Sequence, residues 1–379
     1  MHQAHYNNLI AFSSRGSGVW GLCLIWALNL VGCASPIALH RAVLEYDWTV
    51  NRIEAELLLL NIARIRYHEP IHFTVVSSIA ATFDFRVNTG ITGLLSEAPG
   101  VNHLILTLGS EAAENPTVSI IPIQGEEFTQ RLLTPITETK FQFLAHQGID
   151  PGLLLRLMAR GMFVVDNGER TFLLNQPHRV NEYIRFRQIV LHLSSLDMTR
   201  NLFIGPLQFL EENTQRTGRI AITNYDPHLL SNEERIALNE RAQRYPLNHI
   251  LVDIRPGFPG GDFPLLGHIK LRSFKAILGF IGRGIVEERE FHVDRDSRTG
   301  PVLANPIKTL AIQESSEYPE NAMFAVQKQD MWHYLEREGV TGKSEDRWNH
   351  EAFDLLYQLY HLTVTDVSKS PTVPITISK

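Results

Sequence analysis

The feature that most constrains the fold is a change of period between residues 66 and 73. From Arg41 to Arg66 the sequence RAVLEYDWTVNRIEAELLLLNIARIR contains neither Pro nor Gly, and Leu44, Trp48, Ile53, Leu57, Leu60 and Ile65 recur at nearly helical spacing. From Phe73 the period becomes two. Phe73, Val75, Ser77, Ile79, Ala81, Phe83, Phe85 and Val87 share one side, and Thr74, Ser78, Thr82, Asp84 and Arg86 fall mostly on the other. A long amphipathic helix packing its stripe into a core, followed by a strand or hairpin with one wet face, is the expected start.

Ahead of that helix lies VWGLCLIWALNLVG, Val19 to Gly32, an apolar run preceded by a polar stretch with Arg15. Fourteen helical residues span roughly 21 Å, short of the ~30 Å hydrocarbon core, so the run reads as the apolar region of a signal peptide. Leu30-Val31-Gly32-Cys33 resembles a lipobox, the tetrapeptide cut before an acylated cysteine. The resemblance implies cleavage before Cys33 and membrane attachment through lipid on it. In lipoproteins an Asp after the cysteine marks inner-membrane retention. Ala34 stands there, so the outer membrane is the expected address.

The only cysteines are Cys23 and Cys33. With the first removed and the second acylated, no thiol is left for a disulfide, a zinc site or catalysis. The net charge is −6, and removing the +1 of Arg15 leaves −7. Such a chain lacks the field that gathers nucleic acid, which is set aside as a partner.

Beyond the first strand, Thr117 to Ile123 reads as another, with Pro122 suggesting an edge or strand end. Helices are expected at Glu126 to Leu133, Glu138 to Gln147, Pro151 to Phe163 with Asp150 as cap, and Asn181 to Leu196. Ser231-Asn232-Glu233-Glu234 is a capping box, so Glu234 is assigned to backbone amides. Strands return at His249 to Ile254, Lys308 to Gln313 and Met323 to Gln327. A helix at Glu345 to His361 and a strand near Thr372 to Ile377 close the chain. This order, without regular βαβ alternation, is that of an α+β fold, mixed or antiparallel sheet elements flanking a central helical block. The organisation expected is a signal peptide over 1–32, an N-terminal α+β region over 33–255 and a C-terminal one over 256–379, possibly one domain with it. The loop PGFPGGDFP, Pro256 to Pro264, separates the two.

Several apparent chemical motifs fail on geometry. His68-Glu69-Pro70-Ile71-His72 spells HExxH, but Pro70 disfavours the helix that would face both histidines toward zinc. Extended, they stand roughly 13 Å apart. Asp294 to Gly300, DRDSRTG, hints at a calcium loop, yet Arg298 takes the fifth position and the glycine comes late. Gly257, Gly260 and Gly261 lack the Lys-Ser/Thr of a phosphate loop, and Gly109-Ser110-Glu111 lacks the flanks of a nucleophile elbow. No metal or cofactor is expected, and no catalytic residue is assigned.

Two stretches, LLLLNIARIRYHEPIHFTVVSSIAATF (Leu57 to Phe83) and NPTVSIIPIQGEEFTQRLLTPI (Asn115 to Ile136), resemble a group of uncharacterised proteobacterial outer-membrane lipoproteins. Weaker similarity runs through FKAILGFIGRGI (Phe274 to Ile285) and WNHEAFDLLYQLYHL (Trp348 to Leu362). The resemblance implies an envelope lipoprotein and carries no activity. Relatives have an aromatic-rich stretch and paired acids where this chain has Met331 to Glu338, MWHYLERE.

Within Asn115 to Ile136, Gln124, Glu127 and Arg131 are the candidate partner or ligand residues. The competing reading is a strand-turn-helix hinge anchored by Val118, Ile120, Phe128 and Leu132. The functional expectation is a lipid-anchored envelope protein with a structural or binding role among protein partners. The alternative is a periplasm-facing or surface hydrolase with residues dispersed in sequence.

Overall fold

The computed structural model describes residues 34–94, 103–166, 168–337, 344–364 and 375–377. Leu30, Val31, Gly32 and Cys33 lie outside them. The chain divides between Ile53 and Glu54 into two units, the division falling within helix α1, Ala34–Arg66.

In the first unit, Leu44 is 56% and Trp48 68% exposed. The expected core stripe is therefore corrected. Among the described residues, the buried hydrophobic positions of α1 are Ala55, Leu58, Leu59, Ile62 and Ala63, all in the second unit. They follow the i, i+3, i+4, i+7, i+8 pattern of a core-facing helix. The remaining elements also belong to that second unit.

Two strands, β1 (Phe73–Leu94) and β2 (His103–Ile123), form one antiparallel hairpin, with register from Phe73 opposite Ile123 to Leu94 opposite His103. A bulge falls between Val76 and Ser78, so the single alternating series read from the sequence changes phase there. Short helices follow at α2 (Glu126–Leu133), α3 (Glu138–Ala145) and α4 (Pro151–Met158). Asp150 accepts from the Gly152 amide at 2.6 Å and Pro151 opens α4, as read from the sequence. Every residue of α4 is buried, which fits a helix apolar nearly all round.

The helix expected to reach Phe163 stops at Met158. Strand β3 (Ala159–Asp166) takes over and pairs with β4 (Glu169–Leu174). Helix α5 (Val180–Met198), β5 (Phe203–Glu211), β6 (Thr214–Thr223), α6 (Asn232–Gln243), β7 (His249–Ile254), β8 (Leu265–Leu271) and α7 (Phe274–Gly284) follow. The six-stranded sheet has the order β4-β3-β8-β7-β6-β5, and only β6 and β7 are parallel, with α6 between them in sequence. This mixed sheet drawn from the middle of the chain, with helices packed on it, makes the fold α+β. The glycine-rich loop after Ile254 joins β7 to β8, which are hydrogen-bonded neighbours, so it is a connection within one sheet.

Instead of a strand at Lys308 to Gln313, the chain is irregular until β9 (Gln313–Ser315). The cause is visible in its hydrogen bonds. The Thr309 amide donates to Glu290, and Asn349 both accepts from the Ala311 amide and donates to its carbonyl. Side chains have taken the groups a ladder would use. Strands β10 (Ala322–Lys328) and β11 (Met331–Glu336) complete a small sheet, α8 (Ser344–Val364) packs into the core, and β12 (Ile375–Ile377) pairs with β2. Met331 to Glu336 is thus a strand.

Candidate functional site

The segment singled out by the sequence lies beside two surface recesses. Helix α2 begins after Gly125, whose φ of 117° is accessible to glycine and strained for other residues. It ends at Thr134-Pro135, after which the Ile136 amide donates to the Arg272 carbonyl at 2.9 Å. That bond ties the end of α2 to the start of α7. Phe128 and Leu132 are buried, Phe128 meeting Phe73 edge-on with centroids 5.7 Å apart.

On the outer face, Arg131 Nη2 lies 2.5 Å from Glu127 Oε1. This pair, with Lys140 and Thr363, borders a recess of about 300 Å³. Gln124 is exposed ahead of the helix and does not line it. The structure therefore brings two of the three candidate residues together. Glu126 and Glu127 sit in the first turn, where their charge complements the helix dipole.

A larger recess of about 490 Å³ lies between α7 and the ends of α1 and α2. Its apolar surfaces come from Ile65, Leu133 and Phe280, and its cations from Arg160, Lys275 and Arg283. Arg283 is held 3.3 Å from Glu288. Arg272 is fully buried, donates to the carbonyls of Arg156, Leu157 and Asn175, and stacks 4.0 Å from the Phe280 ring. Burial pulls its guanidinium down to about 9, so it still carries charge at neutral pH. An apolar groove with a cationic rim suits a ligand with both apolar and anionic parts. Sequence reading missed it, because its residues come from five separate stretches.

The motifs discounted on sequence occupy structural positions. His68 sits in the turn after α1 at φ 57°, its Nε2 3.0 Å from Glu287. Glu69 is held by Lys328 at 2.6 Å, which lowers its pKa. The His72 amide and carbonyl are taken by Asn61 and Arg64. Arg298 donates to both Asp296 oxygens, the main cause holding that carboxyl at about 2. Glu234 closes the capping box with Ser231. Among the described residues, no group of three or more His, Cys, Asp or Glu is placed to hold a metal ion.

A buried polar cluster surrounds Glu290. Its Oε1 accepts from Tyr183 at 2.9 Å, Thr309 at 2.8 Å and Arg156 at 3.3 Å, with Arg187 3.6 Å away. Its Oε2 accepts the Thr309 amide. Burial pushes the carboxyl up, but Arg156 and Arg187 outweigh it and leave the pKa lowered. Arg156 is pulled down by burial to about 10, so the cluster is ionic at pH 7. Similarly, Asp253 accepts from Tyr225 and Arg255, and Glu138 accepts from Arg219 at 2.6 Å. These carboxylates are engaged in joining elements.

No family model, curated protein or solved structure matches the chain.

Proposed function

We propose that this chain is a lipid-anchored protein of the bacterial outer membrane, with a structural or binding role in an envelope assembly. The observation that carries the reading is the apolar run ending in Leu30-Val31-Gly32-Cys33. Three acyl chains on Cys33, as bacterial lipoproteins carry, make an effectively permanent anchor, since each buried CH₂ contributes ~0.8 kcal/mol. Helix α1 starts at Ala34, one residue after that cysteine. Among the described residues no helix is long and apolar enough to cross a membrane.

A binding role is favoured over hydrolysis because the deep carboxylates Glu290 and Asp253 are taken up by partners, while the two recesses by α2 and α7 are open. The test is acyl labelling of cells producing the Cys33→Ala variant. Acyl labelling is expected to be abolished and the precursor to remain uncleaved. Acyl labelling that persists in the variant overturns the reading.

A further inference from the structure

The hairpin is far longer than the core requires. Its strands hold 22 and 21 residues, and at ~3.3 Å per residue each reaches roughly 70 Å when extended. Residues paired across an antiparallel ladder share a face, so the register divides the sequence without ambiguity. Val87 with Ser110, Thr89 with Leu108 and Ile91 with Leu106 fall on one face. Arg86 with Glu111 and Asn88 with Gly109 fall on the other. The first face carries no charged residue from Phe85 to Gly93 or from Leu104 to Ala112, a run of nine residues on each strand with five of them on this face. Glu114, opposite Phe83, ends it.

That length is the ~9 to 11 residues a tilted strand needs to cross a bilayer, and alternation of apolar and polar positions is the signature of such strands. The edges supply the second argument. β12 covers β2 only at Val118 to Ile120, and β1 is the outer strand of this sheet. Both long edges are otherwise without a partner strand among the described residues. Open backbone cannot lie in lipid, so such a hairpin needs neighbours that close the sheet into a barrel.

We propose that β1 from Phe83 and β2 up to Glu114 cross the membrane as two strands of a β-barrel closed by further copies of this chain. The apolar face meets lipid and the Arg86/Glu111 face lines the interior. Each copy contributes two strands, so the strand number is even, and the smallest known bacterial barrels of ~8 strands correspond to about four copies. The proposal rests on the membrane address given above.

The test uses the full chain, purified from membranes in detergent and reconstituted into vesicles of phosphatidylethanolamine and phosphatidylglycerol. Single cysteines replace Val87, Ile91, Asn88 or Thr92, each carrying a fluorophore. Val87→Cys and Ile91→Cys are expected to lose emission to a nitroxide on the lipid chain and resist aqueous iodide, with the opposite for Asn88→Cys and Thr92→Cys. Cross-linking in the vesicles is expected to give an oligomer. Acyl mass on the N-terminal peptide, measured on the same samples, separates the two ideas. Vesicle-bound protein without the alternation, or one that remains monomeric, overturns the barrel and leaves the anchor standing. Alternation in an oligomer whose N-terminal peptide carries no acyl mass overturns the anchor and keeps the barrel. Protection of Val87 and Ile91 only after adding a soluble envelope extract means that a protein covers this face, and overturns the barrel as well.

Discussion

Tyr183 donates its phenolic hydrogen to Glu290 at 2.9 Å, joining residues 107 positions apart. Around that bond, Arg156 of α4, Arg187 of α5 and Thr309 of the irregular segment converge on one carboxylate. Three separate stretches of chain are thereby held in one arrangement.

Removing that carboxylate leaves Arg156 and Arg187 buried without their counter-charge. Breaking one side of a buried ionic cluster typically costs ~3 to 5 kcal/mol. Glu290→Ala is expected to lower the melting temperature sharply and reduce the amount of mature protein, with Glu290→Gln less damaging because it retains hydrogen-bonding atoms. Wild-type melting of Glu290→Ala with loss of a binding or hydrolytic activity would show that the cluster is functional.

At the segment beside the recesses, Phe128 and the Glu127–Arg131 pair make separable contributions. Phe128→Ala is expected to cost roughly 3 to 5 kcal/mol, the range for truncating a buried aromatic. Glu127→Gln and Arg131→Gln should each change stability by less than about 0.5 kcal/mol, as for other helical i, i+4 pairs. Denaturant titration gives the three values. If the two polar changes remove partner association from envelope extracts at unchanged stability, the recess is a recognition site.

A third expectation concerns acid. His249 and His268 have pKa values lowered to about 4, foremost by burial, with Arg170 and Arg219 adding to it. Unfolded imidazoles titrate near 6.5, so between these values the unfolded chain binds more protons. Stability from the neutral pair is therefore complete above about pH 6.5 and is lost as pH falls toward 4. His249→Gln/His268→Gln should show a shallower fall in melting temperature over that window than the wild type. Equal slopes would contradict the assignment.

Legibility in the sequence followed local punctuation. The bounds of α2 were readable because Gly125 and Thr134-Pro135 stop the chain on either side, and the start of α4 because Asp150-Pro151 announces it. Its end was not readable, since PGLLLRLMARGMFVV is apolar on both sides of Met158 and periodicity cannot separate a buried helix from a buried strand there. The lost strand at Lys308 to Gln313 depended on Glu290 and Asn349, residues distant in sequence from it or from each other. The candidate site divided in the same way: Glu127 and Arg131 are neighbours on one helix and could be found, whereas Arg160, Lys275 and Ile65 meet only in the folded chain.

Attachment through Cys33 can be read from the mature N-terminal peptide itself, by mass spectrometry of protein from isolated outer membranes. The expected peptide begins at Cys33, continues with Ala34-Ser35-Pro36, and is heavier than its amino-acid mass by a diacylglyceryl group and one amide-linked acyl chain. A membrane-derived peptide that retains residues before Cys33, or that begins at Cys33 without added acyl mass, would contradict it.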